Sequence, residues 1–215
     1  MTPLSHFEAV WDRCSHLSAM QAYLAANSVG ALKPDELLRA EWVARVSALD
    51  LYVHELVAQR MLAVFQGLLP KTPAYSAFML ASETVDRFRH AATPSDASAA
   101  FDLEIRRQLG FLSYQYPDKI ADGIRACSSV ELWNDVALRQ GASPQNKTNQ
   151  AKQIKRQLTT IVDRRNKIAH EGDLQPKTLP ISPWPISQAD LTIVSGFIER
   201  LVSSIEECVL AADMN

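Results

Sequence analysis

The chain has 215 residues, 47% of them apolar, and a formal net charge of −2. That length and composition suit one domain with a substantial core and exclude wholesale disorder. The near-neutral balance excludes a global pull toward nucleic acid, so any such affinity has to come from a local patch. The N-terminus, Met1-Thr2-Pro3-Leu4-Ser5-His6-Phe7-Glu8, lacks the basic-then-apolar pattern of a secretory signal. Ser5 and Glu8 instead have the spacing of a capping box, and Phe7, Val10, Trp11 and Leu17 follow at helical spacing. Residues 1–34 are read as an N-terminal helix packing on a bundle formed by 35–215. Lys33-Pro34-Asp35-Glu36 opens a second helix that can run to about Gly67. Shorter helices are expected at 76–92, 96–113 and 118–140, separated by Thr93-Pro94-Ser95, Tyr116-Pro117-Asp118 and Gly141-Ala142-Ser143-Pro144. A further helix is expected over 145–170. The stretch 172–187, with Gly172, Pro176, Pro180, Pro183 and Pro185, is a loop. Ser187 and Asp190 then cap a final helix to about Ala212. No segment alternates with period two, and there is no repeat or glycine-rich phosphate loop. The expected fold is an all-α, single-domain bundle of about six to seven helices.

No apolar run approaches the roughly 18–20 residues of a membrane span. Cys14, Cys127 and Cys208 are odd in number and far apart, which fits buried reduced thiols in a cytoplasmic protein. His6, His16, His54 and His90 make no metal-ligand spacing with one another or with cysteine, so no metal or cofactor is expected. Glu206-Glu207 is read as a solvated helix face.

The segment richest in chemistry is Arg164-Arg165-Asn166-Lys167-Ile168-Ala169-His170-Glu171-Gly172-Asp173. Arginine offers a permanently charged fork that fits phosphate oxygens. Histidine has the ordinary pKa best suited to acid–base work near neutrality. On a helix, with Arg165 at 0°, Ile154, Leu158, Ile161, Val162, Ile168 and Ala169 fall within about 60° on either side. Arg165 therefore sits in the apolar stripe, where an unpaired charge is costly. Either it meets a carboxylate or the stripe walls a cleft or a subunit interface. His170 lies about 140° from Arg165, and about 40° from Asn166. A bend in the helix, or the same helix from a second subunit, would bring the two groups together.

Asp50 falls inside the apolar arc formed by Trp42, Val46, Leu49, Val53, Leu56 and Val57, with His54 at the arc's edge. A carboxylate there needs a cation or several donors, and Arg165 is the expected partner. The pair is read either as a structural ion pair or as a support that orients a catalytic arginine. From Lys147 to Lys167 the chain carries Lys147, Lys152, Lys155, Arg156, Arg164, Arg165 and Lys167 against a single acid, Asp163. Such a concentration of charge is the footprint of nucleic-acid binding, or else a solvated helix face. Lys152, Lys155, Arg156, Arg164 and Lys167 are the expected RNA contacts. Trp184 is read as a plug that holds the proline-rich loop onto the bundle.

Arg165-Asn166-Lys167-Ile168-Ala169-His170 resembles the Arg-x4-His motif of the HEPN superfamily, including the asparagine directly after the arginine. The surrounding Asp163 to Asp173 segment, the earlier Leu49-Asp50-Leu51-Tyr52-Val53-His54-Glu55-Leu56 and the cap-led Ile186-Ser187-Gln188-Ala189-Asp190-Leu191 are similar to its RiboL-PSP-type branch. The resemblance implies a metal-independent endoribonuclease, typical of toxin–antitoxin and antiviral-defence systems, with an HEPN-like core over 35–215. It implies a homodimer whose two motifs line one cleft, with RNA as substrate and an antitoxin or other regulator as a further partner. By position, Arg165 would hold the scissile phosphate, His170 would be the general acid or base, and Asn166 would orient His170 or touch the phosphate. Cleavage through the 2′-hydroxyl would leave a 2′,3′-cyclic phosphate. The alternative is a non-catalytic HEPN module that binds RNA or a partner protein. Many relatives paired with nucleotidyltransferases carry tyrosine two residues after the histidine. Gly172 stands there in this chain, so regulation through that tyrosine is not expected.

Overall fold

The computed structural model describes residues 1–27, 30–176 and 180–213. Among the described residues there are nine α-helices and a short 3-10 turn at Gly30–Leu32, with no strand beyond one isolated bridge between Leu174 and Pro183. The all-α class is as expected, and the count of six to seven helices is corrected upward to nine. Helix α1 (Pro3–Ala26) starts earlier than the Ser5-Glu8 spacing suggests. Thr2 is its cap, its hydroxyl accepting from the Ser5 amide at 3.1 Å, and Pro3 occupies the first turn.

Helix α2 (Asp35–Phe65) is the axis of the bundle and packs against α1 and against the later helices over 94–109, 117–127, 147–171 and 188–212. It runs 31 residues because no glycine or proline interrupts it, and it ends just before Gly67, whose φ of 76° breaks the helix. Its fully buried Val46, Leu49, Tyr52, Val53 and Val57 form the centre of the core. Glu206, expected in solvent, accepts a 2.7 Å hydrogen bond from the buried Tyr52 hydroxyl.

Two expected helices depart from their expected spans. The segment 76–92 shortens to α4 (Ser82–Arg89), with an unexpected single turn, α3 (Pro73–Ser76), before it and α5 (Pro94–Leu109), which Thr93 and Asp96 cap reciprocally, after it. The segment 118–140 becomes α6 (Pro117–Cys127) and α7 (Leu132–Arg139). The break falls where Ser128 is extended (φ −155°, ψ 154°). Two serines that compete for backbone hydrogen bonds and a β-branched valine, Ser128-Ser129-Val130, are a weak place to continue a helix. Helix α8 (Lys147–Glu171) and helix α9 (Gln188–Ala212) match the expected spans, and Ser187 and Asp190 form both bonds of the predicted capping box. The three cysteines are buried free thiols. Burial pushes Cys127 up to about 12 and Cys208 up to about 11, which keeps them protonated near neutrality.

Candidate active site

Helix α8 buries Ala151, Ile154, Leu158, Ile161 and Val162 along one stripe. The Trp42 indole donates to the Ile161 carbonyl at 3.0 Å and ties this stripe to α2. Beyond Val162 the stripe leaves the core. Arg165 and Ile168 are half-buried, and Ala169 and His170 are exposed. The helix is continuous through both, so the arginine and histidine do point in different directions, about 140° apart.

Asp50 is not the partner of Arg165, and the expected pair is corrected. Its carboxylate accepts from the Tyr114 amide at 2.5 Å and from the Gln115 side-chain amide at 3.0 Å. Its satisfaction comes from a loop rather than from a cation. His54 Nε2 lies 3.6 Å from the same carboxylate, and its ring meets Tyr114 edge-on at 4.7 Å. Gly123 makes room for that tyrosine, since a Cβ there would sit 2.7 Å from Tyr114 Cε1. Asp50 and His54 therefore fix the segment that leads from α5 into α6.

That segment delivers Tyr116, which the sequence reading passed over. Its hydroxyl accepts from Asn166 Nδ2 at 3.0 Å and donates to Asp163 at 2.9 Å. Burial, reinforced by the Asp163 carboxylate, pushes the phenol above its ordinary pKa and keeps it a donor. Asn166 Oδ1 in turn accepts from Arg165 Nη1 at 3.0 Å. A chain of contacts thus runs from Asp50 through Tyr114-Gln115-Tyr116 to Asn166 and Arg165. Arg165 makes no ion pair among the described residues, and its Nε is buried with no partner.

Arg164 takes a structural role. Its Nη2 lies 2.7 Å from Asp173, and Arg39 Nε lies 3.1 Å from the same oxygen. Asp173 is 0% exposed. Both guanidinium groups also donate to the Trp184 carbonyl, and the Trp184 amide donates to the Asp173 carbonyl at 2.8 Å. This hub fastens the proline-rich loop to the end of α8, where Gly172 (φ 64°) and Asp173 (φ 57°) both turn left-handed. Glycine takes that conformation without strain, and aspartate tolerates it better than most residues. Arg39 and Asp173 are 134 residues apart, and no local pattern in the sequence links them.

The other basic residues divide between two sides of α8. Lys152 and Lys155 line a cleft toward α6 and α7. Arg156 and Lys167, with one edge of Arg164, line a groove toward Ile193 and Val194 of α9. They do not make one uninterrupted stripe. Among the described residues no helix is long and apolar enough to cross a membrane.

The geometry defines an all-helical domain with a partly buried, unneutralised arginine and an exposed histidine at the end of one helix. The profile of the RiboL-PSP-HEPN family matches residues 11–211, and the chain belongs to that family. Neither the curated proteins nor the solved structures gave a match.

Proposed function

We propose that the protein is a metal-independent endoribonuclease acting through Arg165, Asn166 and His170. The observation that carries this reading is Arg165 itself: half-buried, restrained by Asn166 and, among the described residues, unpaired with any acid. A cation held in that state is a ready receptor for an external anion, and its fork fits a phosphodiester. Arg165 stabilises the charge that develops on the phosphate oxygens. His170 takes the proton from the 2′-hydroxyl as its oxygen attacks phosphorus, or gives one to the departing 5′-oxygen. The new P–O2′ bond replaces the P–O5′ bond, leaving a 2′,3′-cyclic phosphate and a 5′-hydroxyl. Asp50 and His54 act at a distance by fixing the loop that carries Tyr116. A second copy, placing its own α8 end across the half-buried Ile168 and exposed Ala169, supplies the histidine that one helix cannot turn toward its own arginine. Growth arrest or antiviral defence is the role this chemistry serves.

A second reading, a non-catalytic RNA-binding module, is favoured by one fact: among the described residues nothing hydrogen-bonds the His170 ring to orient it. One assay decides between them. Mixed RNA is incubated in EDTA with wild type, Arg165→Ala and His170→Ala. The nuclease reading expects cleavage products ending in cyclic phosphate and losses of about 10²–10³-fold in each variant, with unchanged circular dichroism. RNA retained uncut at every enzyme dose supports the module, and equal cutting by all three proteins sinks the assigned residues.

A further inference from the structure

Between α3, α6, α7 and α8 lies a cleft of about 710 Å³, well within the size range of small-molecule sites. Its floor is apolar, with Ala121, Val130 and Leu132, and one side of Trp133. Lys152 and Lys155 stand on its α8 wall, and neither makes an ion pair among the described residues. Arg125 at the rim is paired with Asp122, and Glu131 accepts from the Asn134 amide at 3.2 Å. The N-terminus of α7 opens into the cleft with no side-chain cap, leaving its first amides to an outside acceptor. Beside it Ser128, 7% exposed, lines the same cleft, and its Oγ has no hydrogen-bond partner. A buried hydroxyl without a partner can take a hydrogen bond from, or give one to, a polar atom brought into the cleft.

The cleft lies on the side of α8 that carries Asn166 and His170. Taking Arg165 as 0°, Lys155, Lys152, Asn166 and His170 all fall between about 80° and 140°. Lys155 precedes Asn166 by a helical rise of about 16 Å. We propose that this cleft is a subsite for a nucleotide a few positions along the RNA from the scissile phosphodiester: the two lysines and the α7 amides hold its phosphate, the apolar floor takes its base, and Ser128 bonds a polar atom of either. The inference rests on the reading of the chain as an RNA-acting domain.

The test uses the full chain and a fluorescent 12-nucleotide 2′-O-methyl RNA, which cannot be cut through its 2′-oxygens. Binding is followed by anisotropy at fixed salt. Lys152→Glu/Lys155→Glu is expected to weaken binding about tenfold or more and to flatten its salt dependence. Ala74→Trp, an exposed substitution at the cleft mouth, is expected to weaken binding by plugging the cleft, with no change in melting temperature. Ser128→Ala is expected to weaken binding while melting stays equal or rises, because a hydroxyl without a partner costs the free protein stability. Unchanged binding in all three variants overturns the subsite. So does a nucleoside monophosphate that displaces the RNA more tightly than the 12-mer itself binds and loses that ability in Ala74→Trp, which would make the cleft a free-nucleotide site. If RNA is not cut but these binding losses hold, the nuclease reading fails and the cleft stands as an RNA-binding site. If cutting holds and the variants bind normally, the subsite alone fails.

Discussion

At Arg165 burial and charge pull in opposite directions, and among the described residues no acid offsets the conflict. The neighbouring Arg164 shows the other outcome. It shares one oxygen of the fully buried Asp173 with Arg39, so three charged groups neutralise one another within the chain, although Asp173 Oδ1 and Arg164 Nε are buried without a hydrogen-bond partner among the described residues. Breaking such a set by removing one member strands the rest. Asp173→Ala is expected to cost about 3–5 kcal/mol, read as a lowered denaturant midpoint, while Asp173→Asn costs less because asparagine keeps the left-handed backbone and one acceptor. Equal stability for both variants and wild type would remove the hub from the account. The partial burial of Arg165 and its separation of about 140° from His170 were legible in the sequence, because helical angle alone fixes both and α8 is continuous. It misassigned Asp50, because a backbone amide can satisfy a carboxylate as well as a cation can, and backbone donors leave no trace in a sequence. Asp173 was visible only as part of the motif's tail, since its partner Arg39 lies 134 residues away.

At the scale of elements, helices with strong internal signals were legible and those that end for tertiary reasons were not. The capping pair Ser187 and Asp190 announced α9, whereas the Thr93–Asp96 cap of α5 went unread and the break at Ser128 carries no glycine or proline. The element that matters most for the site is the short connection from α5 to α6, since it places Tyr116 against Asn166. Tyr116→Phe removes both hydrogen bonds of its hydroxyl. The expected outcome is a roughly ten- to hundredfold fall in kcat through a mispositioned Asn166, with a stability loss of only about 0.5–1.5 kcal/mol. A wild-type rate with Tyr116→Phe would detach the loop from the site. Helix α5 gives a pH test. Hydrogen bonds from Arg107, with Gln108, lower Glu104 to about 2 from the ordinary 4.5. A carboxyl whose folded pKa is depressed stabilises the fold above 4.5 and loses that contribution as pH falls toward 2. In acid titrations followed by circular dichroism, Glu104→Gln is expected to be less stable than wild type at pH 7 and to lose less stability between pH 4.5 and pH 2. Parallel curves for the two proteins would deny Glu104 that role.

For the whole molecule, the angle between Arg165 and His170 bears on the proposed assembly. The two groups sit on one unbroken helix that Trp42 pins to α2 at Ile161, and their separation of about 140° around its axis holds as long as the turns from Arg165 to His170 stay helical. A site that uses both groups on one phosphate then draws them from two copies related by a two-fold axis, the commonest symmetry of soluble oligomers. This arrangement predicts complementation. Arg165→Ala and His170→Ala proteins are each inactive as homodimers. A mixed dimer has one cleft in which the intact arginine of one subunit faces the intact histidine of the other. Unfolding and refolding the two variants together should restore about a quarter of wild-type cleavage, because random pairing makes half the dimers mixed and each mixed dimer holds one complete arginine–histidine pair of two. Dilution below the dimer dissociation constant should abolish the restored activity. If the co-refolded mixture stays as inactive as its components while sedimentation shows mixed dimers, arginine and histidine act within one chain, and the histidine must reach the phosphate by a route other than the partner's helix.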